Sequence, residues 1–352
     1  MSKFWSDIVK ETEPYVPGEQ PRDPDIIKLN TNENPYPPSP KVIEAIKREI
    51  DASLRLYPDP KVDSLLETIS ETFGVKKDEV FVGNGSDEVL AFAFMAFFNK
   101  DQTIRFPDIT YSFYPVYSKI FQIPYETVPL KADYTIPVES FYNSEGGVIF
   151  PNPNAPTGIL LSLEDIEVIL KNNENKVVIV DEAYIDFGGT SVTSLVEDYN
   201  NLLVIQTLSK SRSLAGLRVG FAIGSQELIE GLNRVKNSFN SYTIDRLALV
   251  GAKAAIEDES YFAKTRNTII ETRQWVGEQL RQLGFTVLPS QANFLFAQHE
   301  NAKTLYEQLK DKGIYVRYFE KERINQFLRI TVGTDEEMKT FIHSLQHILR
   351  KE

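Results

Sequence analysis

The chain has 352 residues, with 38 Lys and Arg against 50 Asp and Glu, a net charge of −12, 42% apolar and 25% charged side chains. At about 150 residues per domain that is two ordinary globular domains, each with a core of normal size. The acidic balance argues against a general nucleic-acid or anionic-membrane binder, whose affinity comes from basic surface, and it leaves room for an anionic small molecule in a locally positive pocket.

Cysteine is absent. That excludes disulfides, thiol catalysis, iron–sulfur clusters and Cys-ligated zinc, and it fits a reducing, cytoplasmic setting. The histidines are His299, His343 and His347, so no His-rich metal site is expected. His343 and His347 stand four apart in a charged terminal helical pattern and read as solvent-facing. Acid–base chemistry therefore falls to Lys, Tyr, Asp or Glu, or to a cofactor. The mixed, charged N-terminus shows no signal peptide. The longest apolar run, Val89 to Phe98, is ten residues, far short of the ~20 that span a bilayer.

In chain order, residues 1–29 carry Pro14, Pro17, Pro21 and Pro24 with little periodicity and read as an arm. Asn30 to Pro40 (NTNENPYPPSP) is a Pro/Asn-rich loop. It leads into an amphipathic helix near Lys41 to Asp51, then a loop at Leu56-Tyr57-Pro58-Asp59-Pro60. From residue 62 to about 225, strands and helices alternate. The strands are Val80 to Val82, Thr103 to Phe106, Tyr125 to Val128, Val148 to Phe150, Val177 to Val180, Leu203 to Gln206 and Val219 to Ile223. Helices are expected at Ser64 to Thr72, Asp87 to Phe98, and Leu163 to Lys171 capped by Ser162. Continuous apolar strands alternating with helices predict an α/β domain, 30–245, with a mostly parallel sheet between helices.

Past residue 240 the pattern changes. Glu257 to Leu283 reads as one long amphipathic helix. Strands follow at Thr286 to Leu288, Asn293 to Ala297, Tyr315 to Tyr318 and Phe327 to Val332, and Thr334-Asp335-Glu336-Glu337 is a capping box opening the last helix. Residues 246–352 thus form a smaller α+β domain, with the arm packing beside it.

In a sheet of this kind ligands bind beyond the carboxyl ends of the strands. Gly85-Ser86-Asp87 opens a helix after the first strand, where N–H groups can hold a phosphate or simply make an Asn-Gly turn. Tyr111 follows the next strand and can stack on an aromatic ligand or serve as packing. Asp181, at another strand end, can meet a cationic ring nitrogen or cap a turn. Lys210 lies among Thr207, Ser209, Ser211 and Ser213, where a lysine can form a Schiff base or lie solvated. Arg218 can pair with a phosphate or a nearby acid. Taken together, in this order, they supply the contacts that pyridoxal 5′-phosphate needs.

The set resembles the fold-type I pyridoxal-phosphate aminotransferases and, within them, the histidinol-phosphate aminotransferase family. The resemblance covers nearly the whole chain. It is carried by Thr207-Leu208-Ser209-Lys210 with Leu214 to Gly220 (LAGLRVG), by Asp181-Glu182-Ala183-Tyr184, by Asn30 to Pro35 (NTNENP) and by Leu328 to Gly333 (LRITVG). It implies that Lys210 carries the cofactor aldehyde and moves the substrate proton, Asp181 pairs with the pyridine nitrogen, Tyr184 binds the ring 3-oxygen and Tyr111 stacks on the ring. Gly85, Ser86, Asp87, Thr207, Ser209 and Arg218 would surround the phosphate. Tyr57 would reach the neighbouring subunit's cofactor in a homodimer. Arg329 and Arg317 would hold the anionic end of the substrate, with Tyr15 and Asn32 closing over it. Where the family has Asn before Pro-Thr-Gly, contacting the ring 3-oxygen, this chain has Ala155. Asn154, one residue earlier, is the candidate replacement; without one, Tyr184 binds that oxygen alone.

The implied reaction moves an amino group between L-histidinol phosphate and 2-oxoglutarate, in histidine biosynthesis. The alternatives are an aromatic amino-acid aminotransferase and a threonine-phosphate decarboxylase-like lyase.

Overall fold

The computed structural model describes residues 2–15, 18–21 and 25–350; Pro17 and Pro24 lie outside the described residues. Its strands are β1 (Ile27–Leu29), β2 (Val80–Asn84), β3 (Ile104–Pro107), β4 (Tyr125–Val128), β5 (Val148–Pro151), β6 (Val178–Asp181), β7 (Leu202–Thr207), β8 (Val219–Gly224), β9 (Thr286–Val287), β10 (Phe294–Gln298), β11 (Ile314–Tyr318) and β12 (Phe327–Thr331).

Seven of them form one sheet in the order β2-β8-β7-β6-β5-β3-β4. All run parallel except β8, which lies antiparallel between β2 and β7. The continuous apolar runs are explained by burial on both faces. Val178 and Val180 of β6 join one core cluster and Ile179 the other; Val204 and Ile205 of β7 divide in the same way. The pleat thus sends successive side chains into two separate cores.

The second sheet has the order β1-β11-β12-β10-β9. It is antiparallel apart from the β1–β11 pair, where Ile27 lies opposite Ile314. Its core packs Leu295, Val316, Leu328 and Ile330 against Val276, Leu305 and Phe341 from three helices. The arm was read without a strand, yet Ile27–Leu29 is one. Three residues beside prolines are too few to show a period, and the partner strand lies far along the chain.

The helix from Leu163 to Lys171 has its Ser162 cap, with the Asp165 N–H donating to Oγ at 3.1 Å. The capping box at Thr334 and Glu337 opens the helix Asp335–Leu349. Helices Phe113–Phe121, Gln226–Phe239 and Ala302–Asp311 add to those expected. The long helix expected at Glu257 to Leu283 is present as Glu259–Gln282, and the helix before it, Arg246–Glu257, is an addition. The two meet at Asp258 (φ −93°, ψ 64°). There its buried carboxylate takes hydrogen bonds from the Ser39 hydroxyl and from Lys41 Nζ. Ala248, Ala252 and Ala255 pack in the same core as Val42, Leu65 and Ile69, whereas Val276 and Leu280 belong to the second sheet's core. We therefore place the passage between the two units inside Glu259–Gln282.

Candidate active site

The carboxyl ends of β5, β6 and β7 point into a cavity of about 290 Å³, closed by the arm and by β11 and β12. It is lined by Ser86, Asp87, Tyr111, Asp181, Tyr184, Thr207, Ser209, Lys210 and Arg218 from the large unit, and by Tyr15, Asn32, Arg317 and Arg329 from the arm and small sheet. Gly85 lies directly beneath, at φ +78°, where a Cβ would come within 2.5 Å of Arg218 Nη2.

One end of the cavity is the first turn of the helix Gly85–Phe97. Gly220 in β8 lets this turn approach, because a Cβ there would collide with the backbone N of Ser86. The buried Thr207 hydroxyl donates to Ser209 Oγ at 3.0 Å. Arg218 Nη2 donates to Asp87 Oδ2 at 3.2 Å, and the Tyr111 hydroxyl donates to Asp87 Oδ1 at 2.7 Å. Burial first, and then Asp87, push the Tyr111 phenol well above its ordinary range, so it stays a neutral donor.

Asp181, only 5% exposed, accepts from the Tyr114 hydroxyl at 3.0 Å and from the Ala183 N–H at 3.3 Å. Burial raises its carboxyl to about 6, against the lowering effect of those two hydrogen bonds. A buried acid held so high is a ready partner for a cation, which would restore its charge. Lys210 is half-buried; its Nζ lies 3.4 Å from Thr31 O and 5.7 Å from the centre of the Tyr184 ring. Asn34 anchors the lysine's backbone, donating to Lys210 O at 2.9 Å.

The opposite end is built differently. Arg317 and Arg329 are cross-strand partners in the β11–β12 pair. Like charges in that register repel, and among the described residues neither has a carboxylate within 4.0 Å. Arg329 donates to Asn30 O at 3.0 Å, while its Nε is buried without a partner. Burial pulls its guanidinium below the ordinary range, with Tyr184 opposing and Arg317 adding to the effect. Phe319 lies under both, 5.6 Å from each guanidinium carbon. This is an anion site held ready.

Two expected residues stand apart. Asn154 is buried, but its amide donates to Ile109 O and Thr157 Oγ1, and it faces a neighbouring cavity. The loop turns Ala155 inward instead. Asn154 is thus no substitute for the missing Asn. Tyr57 is 78% exposed and stacks on Tyr242 at 4.6 Å, outside this chain's cavity. Asn32 lines the cavity with its amide already engaged: Oδ1 accepts from Thr331 and Nδ2 donates to Tyr184. Sequence reasoning missed Tyr114, Asn34, Thr331 and Phe319. Phe319 directly follows the predicted strand Tyr315 to Tyr318, and that place just beyond a strand end is the signal that points to it.

A phosphorylated, cationic aromatic ring fits the large-unit end. It has hydroxyls, an arginine and a helix N-terminus for the phosphate, the elevated Asp181 for a ring nitrogen and Lys210 for an aldehyde.

This sheet order with this lysine, acid and phosphate cradle defines a fold-type I pyridoxal-phosphate enzyme. The chain belongs to the class I and II aminotransferase family, whose sequence model matches residues 24–345. It is 60% identical over 352 residues to histidinol-phosphate aminotransferase 1 of Oceanobacillus iheyensis, covering 99% of both chains. It is 58% identical to the histidinol-phosphate aminotransferase of Clostridium acetobutylicum, over 99% of this chain and 100% of that one. Among solved structures, the histidinol-phosphate aminotransferase of Sinorhizobium meliloti in complex with pyridoxal-5′-phosphate shares the fold, with a TM-score of 0.89 and 21% identity over 100% of this chain and 99% of that one.

Proposed function

We propose that this aminotransferase uses pyridoxal 5′-phosphate to move the amino group of L-histidinol phosphate to 2-oxoglutarate, giving imidazole acetol phosphate and L-glutamate in histidine biosynthesis. The observation that carries the substrate is the 55–60% identity, over essentially the full length, to relatives named histidinol-phosphate aminotransferase. No observation favours the aromatic aminotransferase or the lyase.

When bound, pyridoxal 5′-phosphate supplies an aldehyde for the amino group and a ring that accepts the electron pair left when the substrate Cα proton departs. The residues of the chain do the rest. Ser86, Thr207, Ser209 and Arg218 hold the phosphate, and Asp87 keeps Arg218 and Tyr111 in place. Asp181 would meet the ring nitrogen and keep it protonated, since each charge favours the other in a buried site. Tyr184 binds the ring 3-oxygen. Lys210 would hold the aldehyde and, with its amine free, would be the base that takes the substrate Cα proton and returns it to the carbon on the far side of the amino nitrogen. Arg317 and Arg329 grip the phosphate monoester of one substrate and the carboxylates of the other, because a guanidinium fork suits both. Tyr15, ring to ring with Phe113 at 4.3 Å, covers the cavity from the arm.

The active unit in this reading is a cytoplasmic homodimer. Supporting it, Ile50, Leu54, Leu56, Tyr57, Phe239 and Tyr242 all expose large apolar surface, the kind that marks an interface. Tyr57 there would reach the neighbouring subunit's cofactor phosphate. Among the described residues no helix is long and apolar enough to cross a membrane.

The test is an absorbance titration of the cofactor-loaded protein with L-histidinol phosphate beside L-phenylalanine. The expected result is conversion to the pyridoxamine form at a much lower concentration of histidinol phosphate. Equal or better conversion by phenylalanine overturns the substrate assignment.

A further inference from the structure

Tyr184 is held on three sides. Its ring meets Phe294 edge-on at 5.1 Å and 90° and packs with Ala155 and Ala292. Its hydroxyl accepts a hydrogen bond from Asn32 Nδ2 at 2.9 Å. Asn32 is fixed in turn. Its N–H donates to Thr331 Oγ1 at 3.0 Å, the Thr331 hydroxyl donates to its Oδ1 at 3.1 Å, and Asn293 Nδ2 donates to its carbonyl at 3.0 Å. It is 1% exposed and sits at φ +55°, a left-handed conformation that Asn adopts more readily than most residues.

Thr331 Oγ1 already receives the Asn32 N–H, and among the described residues the acceptor for its own hydrogen is Asn32 Oδ1; turning the amide over would leave that hydrogen without a partner in a buried site. The end that meets Tyr184 is then the NH₂ group, a donor. A tyrosine hydroxyl that receives a hydrogen must point its own elsewhere. The side chains packed around its ring, Phe294, Ala155 and Ala292 in one cluster and Phe187, Ile269 and Val332 in another, offer no acceptor, which leaves the cavity that Tyr184 lines.

We infer that Asn32 is a positioning residue that acts through Tyr184: it fixes the tyrosine hydroxyl as a hydrogen donor aimed at the cofactor's ring oxygen. This rests on the pyridoxal-phosphate reading of the cavity. It gives Ala155 a counterpart. The wall where a second amide would contact that oxygen is a methyl group, and the arm supplies an amide one bond removed, behind the tyrosine. It also ties the site to Thr331 at the end of β12, so the arm, the small sheet and the cofactor oxygen share one hydrogen-bonded line. The charged groups facing Tyr184 are Lys210 and Arg329, on separate elements.

The experiment is a spectrophotometric pH titration of the lysine-bound cofactor, with no substrate present. It compares wild type with Tyr184→Phe, Asn32→Asp and Thr331→Val. Donation by Tyr184 favours the anionic ring oxygen and holds the midpoint of the titration low. Tyr184→Phe removes it and should raise the midpoint by about one pH unit or more, the size expected for a lost hydrogen bond to a charged group. Asn32→Asp keeps the shape but presents an acceptor, so the tyrosine turns its hydrogen away from the cavity. The same upward shift is expected, with no further shift in the double variant. Thr331→Val, which loosens the amide without removing it, should give a smaller shift of the same sign. It serves as the second reading if Asn32→Asp does not fold. Wild-type midpoints in Asn32→Asp or in Thr331→Val, while Tyr184→Phe shifts, would overturn the inference. Absence in wild type of any cofactor fixed to Lys210 by borohydride reduction would instead remove the reading on which it rests.

Discussion

The two ends of the cavity differ in how their charges are met. At the large-sheet end, Asp87 already lies against Arg218 and Tyr111, and Asp181 against Tyr114. At the small-sheet end, Arg317 and Arg329 face each other across two strands without a carboxylate. The first set stands at the ends of strands buried on both faces, a frame that holds still. The second is assembled from the arm and two strands of another sheet. A resident cofactor calls for the first arrangement. An exchanged substrate calls for the second, where an arriving anion relieves the repulsion between the two guanidinium groups.

The largest effect should come from Lys210→Ala, which removes the base and the aldehyde holder together. Turnover should fall by more than about a thousandfold while circular dichroism stays native. Retained transamination would take Lys210 out of the reaction.

Asp181→Asn should split the two properties of the large-sheet end. Activity should drop about a hundredfold or more. Stability of the cofactor-free protein should move the other way. Burial raises this carboxyl from 3.8 to about 6, so it favours the fold while protonated, and that favour is lost as pH rises from about 4 through about 6. At pH 8 the Asn variant should therefore be more stable than wild type by about 3 kcal/mol, at roughly 1.4 kcal/mol per unit, and at pH 4 the difference should shrink. Urea midpoints at the two pH values measure it. Glu182, raised to about 7 by burial, titrates in both proteins and cancels.

The smallest effect lies outside both ends. Thr334→Ala breaks the capping box and should cost about 1 kcal/mol, read as a melting-temperature drop of a few degrees, with the half-reaction unchanged.

The large sheet was legible because its central strands, buried on both faces, read as apolar runs, most of them followed by Gly, Pro or Asp. From those ends Asp181, Lys210 and Arg218 could be picked out as chemistry. The antiparallel course of β8 was not legible, since Val219–Gly224 reads like its parallel neighbours. Nor was the helix Arg246–Glu257, or the way it gives way at Asp258, because the side chains that grip that residue, Ser39 and Lys41, come from far earlier in the chain. Of the site, what escaped was what tertiary contact creates. Tyr114 matters through Asp181, and Thr331 through Asn32. Asn154 and Ala155 are neighbours, and only the path of the loop decides which one faces the cavity.

The division between the two ends is tested most directly by Arg329→Lys, with two quantities measured on the same sample. One is the cofactor dissociation constant; the other is the concentration of L-histidinol phosphate that half-converts the bound cofactor. Lysine keeps the charge but loses the fork. Cofactor affinity should stay within about twofold of wild type, while the half-converting concentration rises about tenfold or more, the loss of roughly 1.4 kcal/mol of substrate binding. Loss of the cofactor, or an unchanged response to histidinol phosphate, would contradict the division.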